Sequence, residues 1–291
     1  MTITASLVKE LRVKSGAGMM DCKKALVATE GNIEEAITWL REKGVSKAAK
    51  KQSRIAAEGL CHYVVDGNVA IVFELNSETD FVSKNQQYLQ LLEDLGNAFN
   101  EAKPENTEAA LEVMIDGKTV AIVLADATFA IGEKLSLRRV TKIVKTDDQV
   151  FGAYKHNAGR IAVISVLDGS NEDVARDVAM HVAAINPLFI DKSQVPAEQL
   201  EKERETLTQV ALNEGKPEAI VQKMVIGRLN KYLKDICLLN QPFVKDSDLT
   251  VEKFVNNNNM KVISFIRLSV GEGIEKKVDD FAAEVAAQIG Q

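Results

Sequence analysis

The chain has 291 residues, 46% of them hydrophobic and 27% charged, with a net charge of −6; that is long for one core and predicts two or more domains. An acidic balance argues against broad nucleic-acid binding, and no apolar run approaches the roughly 20 residues that cross a bilayer. Cys22, Cys61 and Cys237 are odd in number and far apart, without metal-type spacing, which fits a reduced cytoplasmic setting.

Residues 4–42 read as three short helices. Leu7, Val8 and Leu11 make one apolar stripe. Met19, Met20, Leu26 and Val27 mark a second segment after the Gly16-Ala17-Gly18 turn. Asn32 is a good N-cap for the third, with Glu35 in capping-box position ahead of Ala36, Ile37 and Leu40. Lys9, Glu10 and Arg12 interrupt the start before a secretory signal can develop. Residues 1–60 carry 11 Lys and Arg against 7 Asp and Glu. That excess sits mostly in KGVSKAAKKQSR (43–54), which reads as a solvated linker or a dock for an acidic partner surface.

Residues 57–190 look like one unit used twice, a hairpin followed by a covering helix. The first copy runs from Gly59 through the turn Asp66-Gly67-Asn68 into strand Val69–Leu75 and helix Tyr88–Phe99. The second runs from Gly152 through the turn His156–Gly159 into strand Ile161–Leu167 and helix Val174–Ile185. The glycine pairs Gly59/Gly152 and Gly67/Gly159 keep the register within one residue. Val120–Leu124 and Leu135–Val144 read as strands extending the first copy. Between strand and helix the first copy carries a longer connection, which holds Thr79, Asp80, Phe81 and Val82. Phe81 is either a plug for this chain's own core or a probe for a partner's. Most aromatics are buried, which favours the plug; a loop peculiar to one copy of a shared scaffold favours function.

Residues 196–239 read as an antiparallel helical hairpin. Leu200, Leu207 and Val210 face Ile220, Met224, Leu229, Leu233 and Ile236 across it. Strand-like MKVISFIRLSV (260–270) follows, then a short amphipathic helix over Phe281–Ile289.

Groups for covalent chemistry are scarce. The Gly-x-Gly pairs at 16–18 and 271–273 lack the rest of a phosphate-binding loop. His62 beside Cys61 reads as strand surface, His181 as a partly buried structural histidine, and His156 in its tight turn as the most exposed of the three. No carboxylate pair sits in a glycosidase, protease or metal-ligand setting. No cofactor is expected.

Six stretches stand out in order along the chain: LVKELRVKSGAGMMDCKKAL (7–26), LNSETDFVSK (75–84), GRIAVISV (159–166), AMHVAAINPLFI (179–190), GRLNKYLKDICLLNQPFV (227–244) and FIRLSVGEGIEK (265–276). Together they resemble the bacterial elongation factor Ts family, the guanine-nucleotide exchange factors of elongation factor Tu. Ser77 and Ser83 depart from a commoner Cys and Ala, and Asn157-Ala158-Gly159 varies a glycine-rich turn. The resemblance implies an α+β fold: a three-helix, ubiquitin-associated-like N-terminal domain, two similar α+β subdomains with antiparallel sheets, an inserted antiparallel coiled-coil hairpin and a C-terminal helical module. On this sequence these fall at 1–42, with a basic linker at 43–56, then 57–148, 149–195 with 240–270, 196–239, and 271–291. The resemblance further implies that Thr79, Asp80, Phe81 and Val82 dislocate the magnesium of elongation factor Tu, with His156, Met19 and Met20 also at the partner interface. No membrane or direct nucleic-acid partner is expected; a homodimer, or a heterotetramer with Tu, is compatible with the family. A non-catalytic adaptor and an enzyme using His156 or His62 are the competing readings, and only the exchange factor requires Phe81 to stand in solvent.

Overall fold

In the computed structural model the described residues are 3–51, 53–215 and 217–275. The chain divides into two compact units, one of residues up to 143 with the segment from 268, the other of residues 144–267.

The first unit opens with α1 (Ala5–Ser15), α2 (Met19–Ala28) and α3 (Ile33–Lys51). Thr4 caps α1, and Gly16 closes it in the left-handed region at φ 67°. Asn32 caps α3 as expected, its amide oxygen accepting from Glu34 and Glu35 N–H. The helix does not stop near residue 42, however. It runs to Lys51, so the basic stretch is helical over most of its length. Val8, Leu11, Cys22, Ala25, Leu26, Ala36 and Leu40 form the small core of these helices. Met19, Met20 and Val27 stay outside it.

Next come β1 (Glu58–Asp66), β2 (Val69–Ser77), α4 (Gln86–Ala102), α5 (Thr107–Leu111), the short pair β3 (Met114–Ile115) and β4 (Lys118–Thr119), α6 (Val120–Ile131) and β5 (Ser136–Val144). The sheet order is β1-β2-β5, with β1 and β2 antiparallel from Glu58↔Ser77 to Asp66↔Val69. α4 covers this sheet with Tyr88, Leu91, Leu92, Leu95 and Phe99, which pack on Phe73, Leu75 and Val82.

Val120–Leu124, expected as a strand, is the first part of helix α6. Thr119 caps it by accepting from Ile122 N–H, and Gly132 ends it at φ 91°. Val120 and Leu124 enter the core under the sheet, while Phe129 packs against α1–α3. A helix buried on two sides is apolar nearly all round, so its hydrophobic run is indistinguishable from a buried strand by periodicity.

The second unit repeats the plan. β6 (Gln149–His156), β7 (Ile161–Asp168) and α7 (Glu172–Ile185) make the hairpin and its cover. α8 (Ala197–Asn213) and α9 (Glu218–Ile236) follow, then β8 (Pro242–Phe243), β9 (Asp246–Thr250), α10 (Val251–Asn257) and β10 (Lys261–Ser269). The sheet order β10-β7-β6 matches β5-β2-β1. The likeness extends beyond hairpin and helix: each unit also has a two-stranded ribbon, a helix capped by threonine (Thr119, Thr250) and a third strand beside the second. α8 and α9 are the extra element of the second copy.

Counted from the hairpin turns, Gly152 occupies the place of His62, not of Gly59, so the glycine register read from the sequence does not hold. In the first unit a helix glycine, Gly96, makes room for the His62 ring; in the second the strand glycine, Gly152, lets the α7 backbone approach. His62 is consequently buried under α4 instead of lying on the strand surface.

Between α8 and α9, Ala211, Val221, Val225 and Leu207 form the seam. Val210 and Ile220, expected in it, are exposed. The helix expected over Phe281–Ile289 lies outside the described residues.

Candidate functional site

The longer connection of the first copy spans residues 78–85, against 169–171 in the second. Its ends are staked. Tyr88, in the first turn of α4, inserts its hydroxyl between β1 and β2, accepting from Leu60 N–H at 2.9 Å and donating to the Leu75 carbonyl. Burial pushes that phenol's pKa well above its ordinary value, with the Leu60 hydrogen bond opposing, so it stays protonated as the bridge requires. Asn85 caps α4 by accepting from Gln87 N–H at 2.8 Å.

Inside the connection the polar side chains have partners. Ser77 Oγ donates to the Thr79 carbonyl at 2.9 Å and Ser83 Oγ to the Asp80 carbonyl at 2.8 Å. Thr79 donates through its N–H (2.9 Å) and its hydroxyl (2.7 Å) to the two carboxylate oxygens of Glu133. Asp80 pairs with Lys84 at 2.8 Å. Phe81 stands at φ −64°, ψ −40° before a 3-10 turn over Val82–Lys84. That turn sends the Val82 side chain into the core with Leu75 and Tyr88, and leaves the Phe81 ring 79% exposed.

The strand feeding this connection carries a buried carboxylate. Glu74 accepts from Arg138, Arg139, Asn76 and the Gly271 N–H at 3.2, 2.7, 2.9 and 2.8 Å. Arg139 adopts φ 50°, which breaks strand alternation and lets two successive arginines reach one carboxylate.

The four loop residues singled out by sequence are thus contiguous, three of them facing outward or braced and Val82 inward. Met19 and Met20, on α2, are 52% and 64% exposed. His156 belongs to the other unit, exposed at the end of β6, with its ring stacked 6.1 Å from that of Tyr154. His181 is fully buried: Nδ1 accepts from Val244 N–H at 3.2 Å, so Nε2 carries the proton and donates to Gln241 Oε1 at 2.9 Å. Burial holds its pKa below the ordinary histidine value, with the Gln241 bond opposing. Among the described residues no group of three or more His, Cys, Asp or Glu is arranged to hold a metal ion, and no helix is long and apolar enough to cross a membrane. Sequence reasoning missed Glu133, Glu78, Lys134 and Tyr88. The first and third lie more than fifty residues from their loop partners, and no local pattern signals them.

The fold is that of an α+β protein, with antiparallel sheets and covering helices. A family model described as elongation factor TS matches residues 78–272. Elongation factor Ts of Acholeplasma laidlawii (strain PG-8A) is 54% identical over 296 aligned positions, covering 100% of both chains. The chain belongs to the elongation factor Ts family, and its role is that of a translation elongation factor.

Proposed function

We propose that the protein is a guanine-nucleotide exchange factor that acts by contact, without covalent chemistry. It binds elongation factor Tu in its GDP form, displaces the magnesium ion there and promotes GDP release so that GTP can enter. The observation that carries this reading is the Phe81 ring, exposed at the tip of a loop whose neighbours are braced or buried. An apolar ring presented on a braced loop offers a partner hydrophobic surface to cover, and covering it returns free energy that exposure forfeits.

Thr79, Asp80, Phe81 and Val82 form the working segment in this reading. A Phe side chain entering a partner pocket buries roughly 150–250 Å². At about 25 cal/mol per Å² that is several kcal/mol of gross driving force, part of which association consumes. If only the magnesium-free partner conformation accepts the ring, this factor weakens GDP by the same ratio that GDP weakens its own binding. Asp80, held at the surface by Lys84, competes for hydrogen bonds of the magnesium shell. Met19, Met20 and His156 supply further contacts. In this reading α1–α3 are the ubiquitin-associated-like module, α8 and α9 the coiled-coil hairpin, and the protein works in the cytoplasm, with homodimers or a heterotetramer with Tu as the higher assemblies.

The test is release of a fluorescent GDP analogue from elongation factor Tu. Wild type accelerates release, and Phe81→Ala cuts the acceleration about 30-fold, as truncation of a central anchor worth about 2 kcal/mol does. No acceleration by wild type refutes the exchange reading; full activity of Phe81→Ala refutes the role given to the ring.

A further inference from the structure

We infer that Glu133 is a positioning residue for the loop that carries Phe81, acting through a reciprocal clasp with Glu78 and Lys134. This inference rests on the exchange reading above. The connection between α6 and β5 lies beside the 78–85 connection, and each offers a carboxylate to the other's backbone. Glu133 takes the N–H and hydroxyl of Thr79 on its two oxygens, at 2.9 and 2.7 Å. Glu78 takes the N–H of Lys134 at 2.6 Å. The second carboxylate is itself held by the Arg54 guanidinium at 3.2 Å, and Lys134 Nζ returns to the Arg54 carbonyl at 3.0 Å. Hydrogen bonds to an ionised acceptor are shorter and about twice as strong as neutral ones, and two of them on one residue fix direction as well as distance.

Ser77 and Ser83 complete the restraint from the other side. Their hydroxyls hold the carbonyls of Thr79 and Asp80, the two residues ahead of Phe81. The backbone leading into the ring is therefore held at the Thr79 N–H by Glu133 and at the Thr79 and Asp80 carbonyls by the serines. None of these bonds fills the hydrophobic core, which is already closed beneath by Val82 and Tyr88. The network restrains the approach to an exposed ring, and ordering that approach beforehand removes an ordering cost from the step after encounter, in which the ring enters the partner's pocket.

The test uses the full chain with Glu133→Ala and Glu133→Gln, and measures analogue release from Tu over a range of factor concentrations. The limiting release rate is expected to fall about tenfold in Glu133→Ala, a loss of about 1.4 kcal/mol, while the half-saturating concentration changes less than about twofold. Glu133→Gln falls between, because its amide oxygen still accepts from Thr79 N–H. Amide exchange at Thr79 quickens in the same order, with the melting temperature lowered by only a few degrees. A limiting rate for Glu133→Ala within about twofold of wild type overturns the inference. Should the alanine variant fold poorly, the isosteric glutamine variant decides, and unaltered Thr79 exchange and rate there overturn it equally. Loss in Phe81→Ala without loss in Glu133→Ala defeats the clasp alone, whereas inactive wild type defeats the exchange reading beneath it.

Discussion

Phe81 and Val82 are neighbours of similar hydrophobicity with opposite fates, one in solvent and one in the core. A 3-10 turn advances about 120° per residue, so consecutive side chains cannot share a face. Nothing local in the sequence chooses which of the two points inward; the choice is made by the staking of the turn, through Tyr88 behind and Glu133 ahead. His181 shows the same dependence on distant partners. Its imidazole is buried and neutral, between Val244 N–H and Gln241. Because its native pKa lies below 6.5, the unfolded chain takes up a proton first as pH falls. Stability from this group is therefore complete above about pH 6.5 and declines below it, until the native imidazole itself protonates. Melting temperatures from pH 7.5 to 5.5 should fall more steeply for wild type than for His181→Gln; equal slopes would refute that assignment. His181 was legible as structural from its apolar helix, whereas the burial of His62 was not, since it depends on Gly96, thirty-four positions away and on another element.

At the scale of elements, the sequence reads well wherever one face is dry and the other wet. The hairpins, α4 and α7 fall where alternation and the 3.6-residue period put them. It misleads where an element is dry on two sides, as in α6, or where a small residue sets the approach, as in the α8–α9 seam. There Ala211 shares a stripe with Leu207, and turns Val210 out to solvent. A still closer approach is at Gly152. A Cβ there would lie 2.0 Å from the Ala175 carbonyl oxygen and 2.5 Å from Ser165 Oγ, which itself donates to that carbonyl at 2.8 Å. Backbone cannot yield as a flexible side chain does. Gly152→Ala should cost about 4 kcal/mol or more, near the upper end for single substitutions. Chemical denaturation measures this, and a midpoint shift equivalent to less than about 1 kcal/mol would mean that α7 can retreat.

For the whole molecule, one plan of hairpin, helix, ribbon, helix and third strand is used twice and then modified differently in each copy. The first copy lengthens the connection after β2; the second receives α8 and α9 after α7. The feet of that second insertion are tied together, with Leu188 and Phe189 N–H on the Ile236 carbonyl and Leu238 and Leu239 N–H on those of Phe189 and Ile190. Replacing residues 197–235 by a short Gly/Ser linker should therefore leave the second unit cooperatively folded, as judged by circular dichroism and a single melting transition; loss of that transition would show that the hairpin is part of the core. The duplication was partly visible in the sequence as two hairpins with their helices. Its ribbons were too short to register as strands, so the full extent emerges only in the sheet order. Helix α6 has a consequence in time rather than in space. The small core of α1–α3 is closed on one side by Phe129, a residue made long after those three helices have left the ribosome. The first part of this chain to be synthesised thus receives its last apolar cover only when α6, later in the same unit, has been made.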